Sequence, residues 1–302
     1  VADDFDSFFG SNQATEPAPA EERPADTPTS SEMAEPQQGP PPEASGHGRA
    51  KSVEMLAKPK PDDLPEPAPE DTAKEVYLFF GEKNDGKTYA ALSMPGNILA
   101  LSFDGKTSIV KKRSYNNDPR IQVFDALIRE DYSSPEAELV SSKVAMAYIN
   151  EILDKAKANP PDWVLIDGSE IFQKLAESLM RHNQSISPFG GVQWTSWKER
   201  RFHIRSLHEK AIRLAKRGVI YTTYVDKDEI VVDGQIKART DVPKWLDAVL
   251  YSVDEVIRVK AATVGTERRY IARIEGSKLR PKNSGKEFDI TGKGVKELIP
   301  SS

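Results

Sequence analysis

The chain has 302 residues, a formal charge of −5 and no cysteine, which excludes disulfide staples and thiolate metal sites. No stretch is long and apolar enough to span a membrane, and the N-terminus lacks a basic region followed by an apolar one. A cytoplasmic protein without a signal peptide is therefore expected. The charge is uneven: residues 1–72 hold 5 Lys and Arg against 16 Asp and Glu, or −11, which leaves +6 on residues 73–302.

Residues 1–72 are rich in Pro, Glu, Ala and Ser and too poor in apolar residues to offset the entropy of ordering, so they read as a disordered acidic tail. Its tip, DDFDSFFG, places Phe5, Phe8 and Phe9 among Asp3, Asp4 and Asp6, which suits either a docking motif for a partner protein or an uninvolved end. The folded body, 73–302, opens with the strand EVYLFF and a helix from Thr88 stopped by Pro95-Gly96. The strand NILALSFDG, a turn at NNDPR and the strand IQVFDAL follow. Ser134-Pro135 opens a long helix that stops before Pro160. The strand DWVLIDG comes next, then the helix SEIFQKLAESLMRH. A polar connection, NQSISPFGGVQWTSW, leads to a basic amphipathic helix and the strand GVIYTTYVD. Two β-segments, DEVIRVKAATVG and TERRYIARIEGSK, then predict a hairpin before a basic loop. This alternation predicts an α/β fold with a mostly parallel sheet covered by helices on both faces.

Residues 81–88, GEKNDGKT, match G-x-x-x-x-G-K-[ST] between a strand and a helix, the context that makes the pattern a phosphate-binding loop. Gly81 and Gly86 allow close approach to phosphates, with Glu82, Lys83, Asn84, Asp85 and Tyr89 completing the cradle. Lys87 is expected near the β- and γ-phosphates, and Thr88 on Mg²⁺. ATP or GTP is the implied ligand, with Mg²⁺ as cofactor. Asp167 ends the apolar run VLID, where its carboxylate reaches the shell of the metal; capping the next helix is the alternative. Water activation needs a further acid. Asp104, after the second strand, is the best placed; Glu170 is the alternative, and a plain turn aspartate is the other reading of Asp104-Gly105. Thr222 or Thr223 is expected to sense the γ-phosphate, their side chains pointing to opposite faces.

Residues 181–199 mix Arg181, His182, Phe189, Trp194, Trp197 and Lys198, which suits stacking on single-stranded DNA. The next helix adds Arg200, Arg201, Arg205, Lys210, Arg213, Lys216 and Arg217. Covering the core is the alternative task for the two tryptophans.

The order of these motifs resembles the RecA-like ATPases. More closely, it is similar to the compact ATPase domain of many phage and prophage recombination proteins, which work beside a single-strand DNA-binding protein. The resemblance covers roughly residues 73–300 and implies a DNA-dependent ATPase, oligomeric as a ring or filament, in the host cytoplasm if phage-encoded. It places Asp104 where the family has a water-activating acid, usually glutamate. It also likens Lys278 and Arg280 to a lysine-x-arginine element inserted into the next subunit's site. Residues 181–199 and VDKDEIVVDGQIKARTD, with Lys227, Lys237 and Arg239, match the two DNA-facing loops. A nucleotide-regulated partner-binding protein, such as a helicase loader or capsid-associated ATPase, is the competing function.

Overall fold

The computed structural model describes residues 73–298 apart from 233–234 and 245–247, without the side chains of 229–239, 250 and 296–297. The expected tail, 1–72, lies outside the described residues, as do the side chains of Lys237 and Arg239. In chain order the elements are β1 (Glu75–Gly81), α1 (Lys87–Leu92), β2 (Ile98–Ser102), α2 (Thr107–Tyr115) and β3 (Ile121–Asp125). There follow α3 (Pro135–Ala156), β4 (Trp163–Asp167), α4 (Ser169–Asn183), α5 (Trp197–Leu214) and β5 (Gly218–Val232). The chain closes with β6 (Gln235–Pro243), β7 (Glu255–Val264), β8 (Glu267–Ser277) and β9 (Glu287–Asp289).

The strands run in the order β3-β2-β4-β5-β1-β7-β8-β9, with β6 paired to the far half of β5. Each neighbouring pair from β3 to β7 is parallel, whereas β8 and β9 are antiparallel additions. Strands buried on both faces read as unbroken apolar runs, and β1 shows why. Val76 and Leu78 pack into a core with α3, α4 and α5, while Tyr77 and Phe79 enter a second core with α1 and the C-terminal Ile290, Val295 and Leu298. The architecture is the expected α/β one, a mostly parallel sheet with helices on both faces and a C-terminal β-hairpin. α3 starts where the sequence puts it: the Ser134 hydroxyl accepts the Ala137 N–H at 3.1 Å, and Pro135 occupies the first turn.

The parallel register brings several strand ends together. Ser102 lies beside Asp167, Asp167 beside Thr222, and Gly81 beside Tyr224. Everything placed just after these ends therefore faces one crevice.

Two expectations change. The segment VDKDEIVVDGQIKARTD is not a loop but the far half of β5 and most of β6, in a ladder paired from Val225↔Pro243 to Val232↔Gln235. Its β-branched run broken by Asp233-Gly234 is a hairpin signal. Arg280 is not a free finger either. Its guanidinium donates to the fully buried Glu255 at 2.9 and 3.1 Å and also to the Leu298 carbonyl. Glu255 lies in register with Tyr77, near the start of β1, whereas the phosphate loop follows the other end of that strand. Lys278 donates to the Tyr251 carbonyl at 2.9 Å. Removing one partner of a buried ion pair strands the other. Arg280→Ala should therefore cost about 3 kcal/mol in urea unfolding; a variant as stable as the parent would show that the pair is not a structural tie.

Candidate functional site

The phosphate loop is held in shape by its own middle. The Asp85 carboxylate accepts the Glu82 N–H at 2.7 Å and, across to β7, the Ala261 N–H at 3.1 Å. Asn84 takes a left-handed φ of 68°, and its carbonyl accepts from the Arg268 guanidinium of β8 at 2.6 Å. Gly86 has φ 88°, and a Cβ there would stand 2.5 Å from the Tyr270 ring, so the position excludes any side chain. At Gly81 a Cβ would meet the Val259 carbonyl at 2.3 Å. The loop thus lies directly against the β7–β8 hairpin. Tyr270 also stacks on Tyr89, with ring centroids 5.4 Å apart.

Lys87 folds back over the loop, donating to the Gly81 and Glu82 carbonyls at 3.0 and 2.8 Å, with its ammonium 4.2 Å from the Tyr224 ring centre. Burial lowers its pKa, and the neighbouring carboxylates Glu170, Asp85, Asp167 and Asp104 oppose that shift.

Asp167 is buried and ringed by hydroxyls. Thr88 lies 3.0 and 3.1 Å from its two oxygens, Thr107 2.5 Å from one and Thr222 2.6 Å from the other. Burial and the nearby Asp104 push its pKa up, and the three donated hydrogen bonds pull it down. Of the threonine pair, Thr222 points here and also accepts the Gly168 N–H. Thr223 instead donates to the Lys244 carbonyl. Helix capping, the other reading of Asp167, is not its task, since α4 has no side-chain cap. Thr107 escaped the sequence reading because no motif marks the start of α2. Tyr224 escaped because aromatic residues are ordinary in strands.

A crevice of about 310 Å³ opens between these groups, lined by Lys83, Asn84, Gly86, Lys87, Thr88, Tyr89, Asp104, Asp167, Glu170, Thr222, Tyr224 and Arg268 among others. Most of the phosphate-loop residues picked from the sequence and the acids Asp104, Asp167 and Glu170 meet there; Gly81, Glu82, Asp85, Lys278 and Arg280 do not line it. Hard oxygen donors from Thr88 and Asp167, with Lys83, Lys87 and Lys106 lining the same crevice, suit a magnesium–phosphate ligand. A space of about 570 Å³ adjoins it, sharing Tyr89 and Ser114. A separate cavity of about 390 Å³ lies between β2, β3 and α3, and none of the expected site residues line it.

The two acids differ in their commitments. One oxygen of Asp104 accepts the Lys106 N–H at 2.9 Å, so the turn reading holds for that oxygen. Glu170 keeps a buried Oε2 without a hydrogen-bond partner, and burial raises its pKa.

Beyond the crevice, Trp194 is 74% exposed with the Arg201 guanidinium 5.7 Å from its ring, and Phe189 and Phe202 are 86% and 65% exposed. Trp194 is therefore not a core residue. Trp197 is half-buried beneath Arg200. Arg181 is spent on Glu177 and the Ser187 and Gly190 carbonyls, which shape the connection. Among the described residues no three His, Cys, Asp or Glu gather as a metal cage, and no helix is long and apolar enough to cross a membrane.

Fold and site together define an α/β protein with a phosphate-loop motif between β1 and α1. No family model and no curated protein matches the chain. Among solved structures, a KaiC-like protein from the hyperthermophilic archaeon Pyrococcus horikoshii OT3 aligns over 71% of this chain and 84% of its own. The two are 12% identical, with a TM-score of 0.36, and a likeness that remote carries no argument about activity.

Asp85→Ala removes its two bonds to the Glu82 and Ala261 amides, and should lower stability by about 2 kcal/mol in denaturant unfolding while raising amide exchange at both. Unchanged exchange at Ala261 would show that the loop does not depend on the hairpin.

Proposed function

We propose that the protein binds ATP with Mg²⁺ in this crevice and hydrolyses it while working on single-stranded DNA, in recombination, annealing or replication. The observation that carries the nucleotide reading is the contact of Asp167 with the Thr88 hydroxyl at the end of the phosphate loop. Thr88 and Asp167 would hold Mg²⁺, which when bound neutralises charge on the phosphates. Lys87 leaves the Gly81 and Glu82 carbonyls for the phosphates, since a charged oxygen is the stronger acceptor. Thr222 keeps the Asp167 carboxylate in place. Glu170, with an oxygen still to be paired, holds and deprotonates the attacking water, and Asp104 is the second acid in reach of the crevice.

Nucleic acid is taken up by Trp194, Phe202 and the basic face of α5, where exposed rings stand beside Arg201, Arg205 and Arg213. Bases stack on the rings while the cations meet phosphates. A ring or filament would line up several such faces, and the acidic segment with Phe5, Phe8 and Phe9 would engage a single-strand DNA-binding or replication protein. The second reading, a nucleotide-regulated partner-binding protein, draws on the turn bond that occupies Asp104.

Lys87→Ala should abolish ATP turnover, measured as phosphate release; turnover at the parental rate would remove the central assignment. Glu170→Gln should slow turnover by about a hundredfold or more with ATP still bound, and by more than Asp104→Asn does. Because burial raises the Glu170 pKa, its base form is lost as pH falls through a value above the ordinary carboxylate range, so turnover should show an acid limb there. A profile in which Glu170→Gln leaves that limb in place would move the base to Asp104. For DNA, Trp194→Ala with Phe202→Ala should weaken oligo-dT binding about tenfold or more at fixed salt. Oligo-dT that neither binds nor stimulates turnover would leave the partner-binding reading standing.

A further inference from the structure

The arginines of the C-terminal hairpin are nearly all neutralised. Arg258 pairs with Asp241, Arg269 lies near Glu267 and Asp289, Arg273 lies near Glu275 and Glu287, and beyond the hairpin Arg280 pairs with Glu255. Arg268 differs. Among the described residues it has no carboxylate in ion-pair reach; its guanidinium donates to the neutral Asn84 carbonyl and lies 5.7 Å from the Tyr270 ring centre. It lines the same crevice as Lys83, Lys87, Lys106 and Arg113. A guanidinium held at a phosphate loop by one neutral acceptor has donors to offer a stronger one.

We infer that Arg268 contacts the phosphate chain of the bound nucleotide, and that it acts in cis, from the same chain as the phosphate loop. The inference rests on the nucleotide reading above. Asp85 and Tyr270 hold the hairpin against the loop, so Arg268 comes to the phosphates on an element already docked there. The planar fork then replaces the carbonyl by phosphate oxygens and leaves the Tyr270 stack in place.

The test uses the full chain, fluorescent ATP and ADP analogues, and phosphate release. Arg268→Ala should weaken ATP binding about tenfold or more and slow turnover, the ADP arm showing whether the contact is to the terminal or an inner phosphate. Arg268→Lys should restore part of the charge but not the fork. No loss for either nucleotide would overturn the phosphate contact. Mixing Arg268→Ala with Lys87→Ala separates cis from trans. If Arg268 served a neighbour, the mixture would contain composite sites with both groups and recover turnover; recovery would therefore overturn the cis assignment, and none is expected. Parent protein that holds neither nucleotide would sink the site reading itself, and Arg268 with it.

Discussion

A carboxylate with almost no access to water has to be met by donors, and those around Asp167 arrive from three separate elements. Thr88 comes from the first turn of α1, Thr107 from the first turn of α2, and Thr222 from β5. Each hydrogen bond to a charged oxygen is worth roughly 1.5–3 kcal/mol, and losing one leaves a buried charge short of a partner. The position of α1 and α2 over the strand ends is therefore set by chemistry at one carboxylate as well as by packing. Residues beside it serve the same end: the Ser102 and Thr107 hydroxyls lie 2.7 Å apart, and Thr222 also accepts the Gly168 N–H that follows Asp167.

The phosphate loop has a second constraint, from the other side. In many such loops small residues fill the middle, but here Lys83, Asn84 and Asp85 do. Asp85 and Asn84 turn out to make the contacts that dock the loop on β7 and β8. Tyr270 closes over Gly86 and continues into Tyr89 and Tyr115, whose rings follow at 5.4 and 5.7 Å. Loop shape and hairpin position are thus one problem rather than two. An aspartate that departs from the expected composition is explained by the strand it reaches, Ala261 lying 176 residues further along the chain.

That distance also explains what could be read from the residues alone. Local patterns were enough for the parallel sheet, since VYLFF and WVLIDG are apolar on both faces and GEKNDGKT sits between a strand and a helix. Asp167, Lys87, Thr88 and Thr222 were legible because strand ends in a parallel sheet converge. Thr107, Tyr224, Tyr270 and Arg268 were not, because each is an ordinary residue until the topology sets it beside the loop. The error over β5–β6 has a different origin: a positional likeness outweighed the Asp-Gly turn signal in the chain itself.

The two arginines, 280 and 268, show how burial divides similar groups. Arg280 meets a glutamate with no exposure, and a lone carboxylate there would be far costlier than the pair, so its guanidinium is bound to the fold. Arg268 meets only a carbonyl, which gives a weaker hold on a charged donor than an anion does. The first arrangement makes the cation structural and the second keeps it exchangeable. A motif with lysine and arginine in the expected places is therefore a weak guide to which cation serves a phosphate. The partner that each guanidinium would have to leave is the stronger one, and by that measure Arg268 is held less firmly than Arg280.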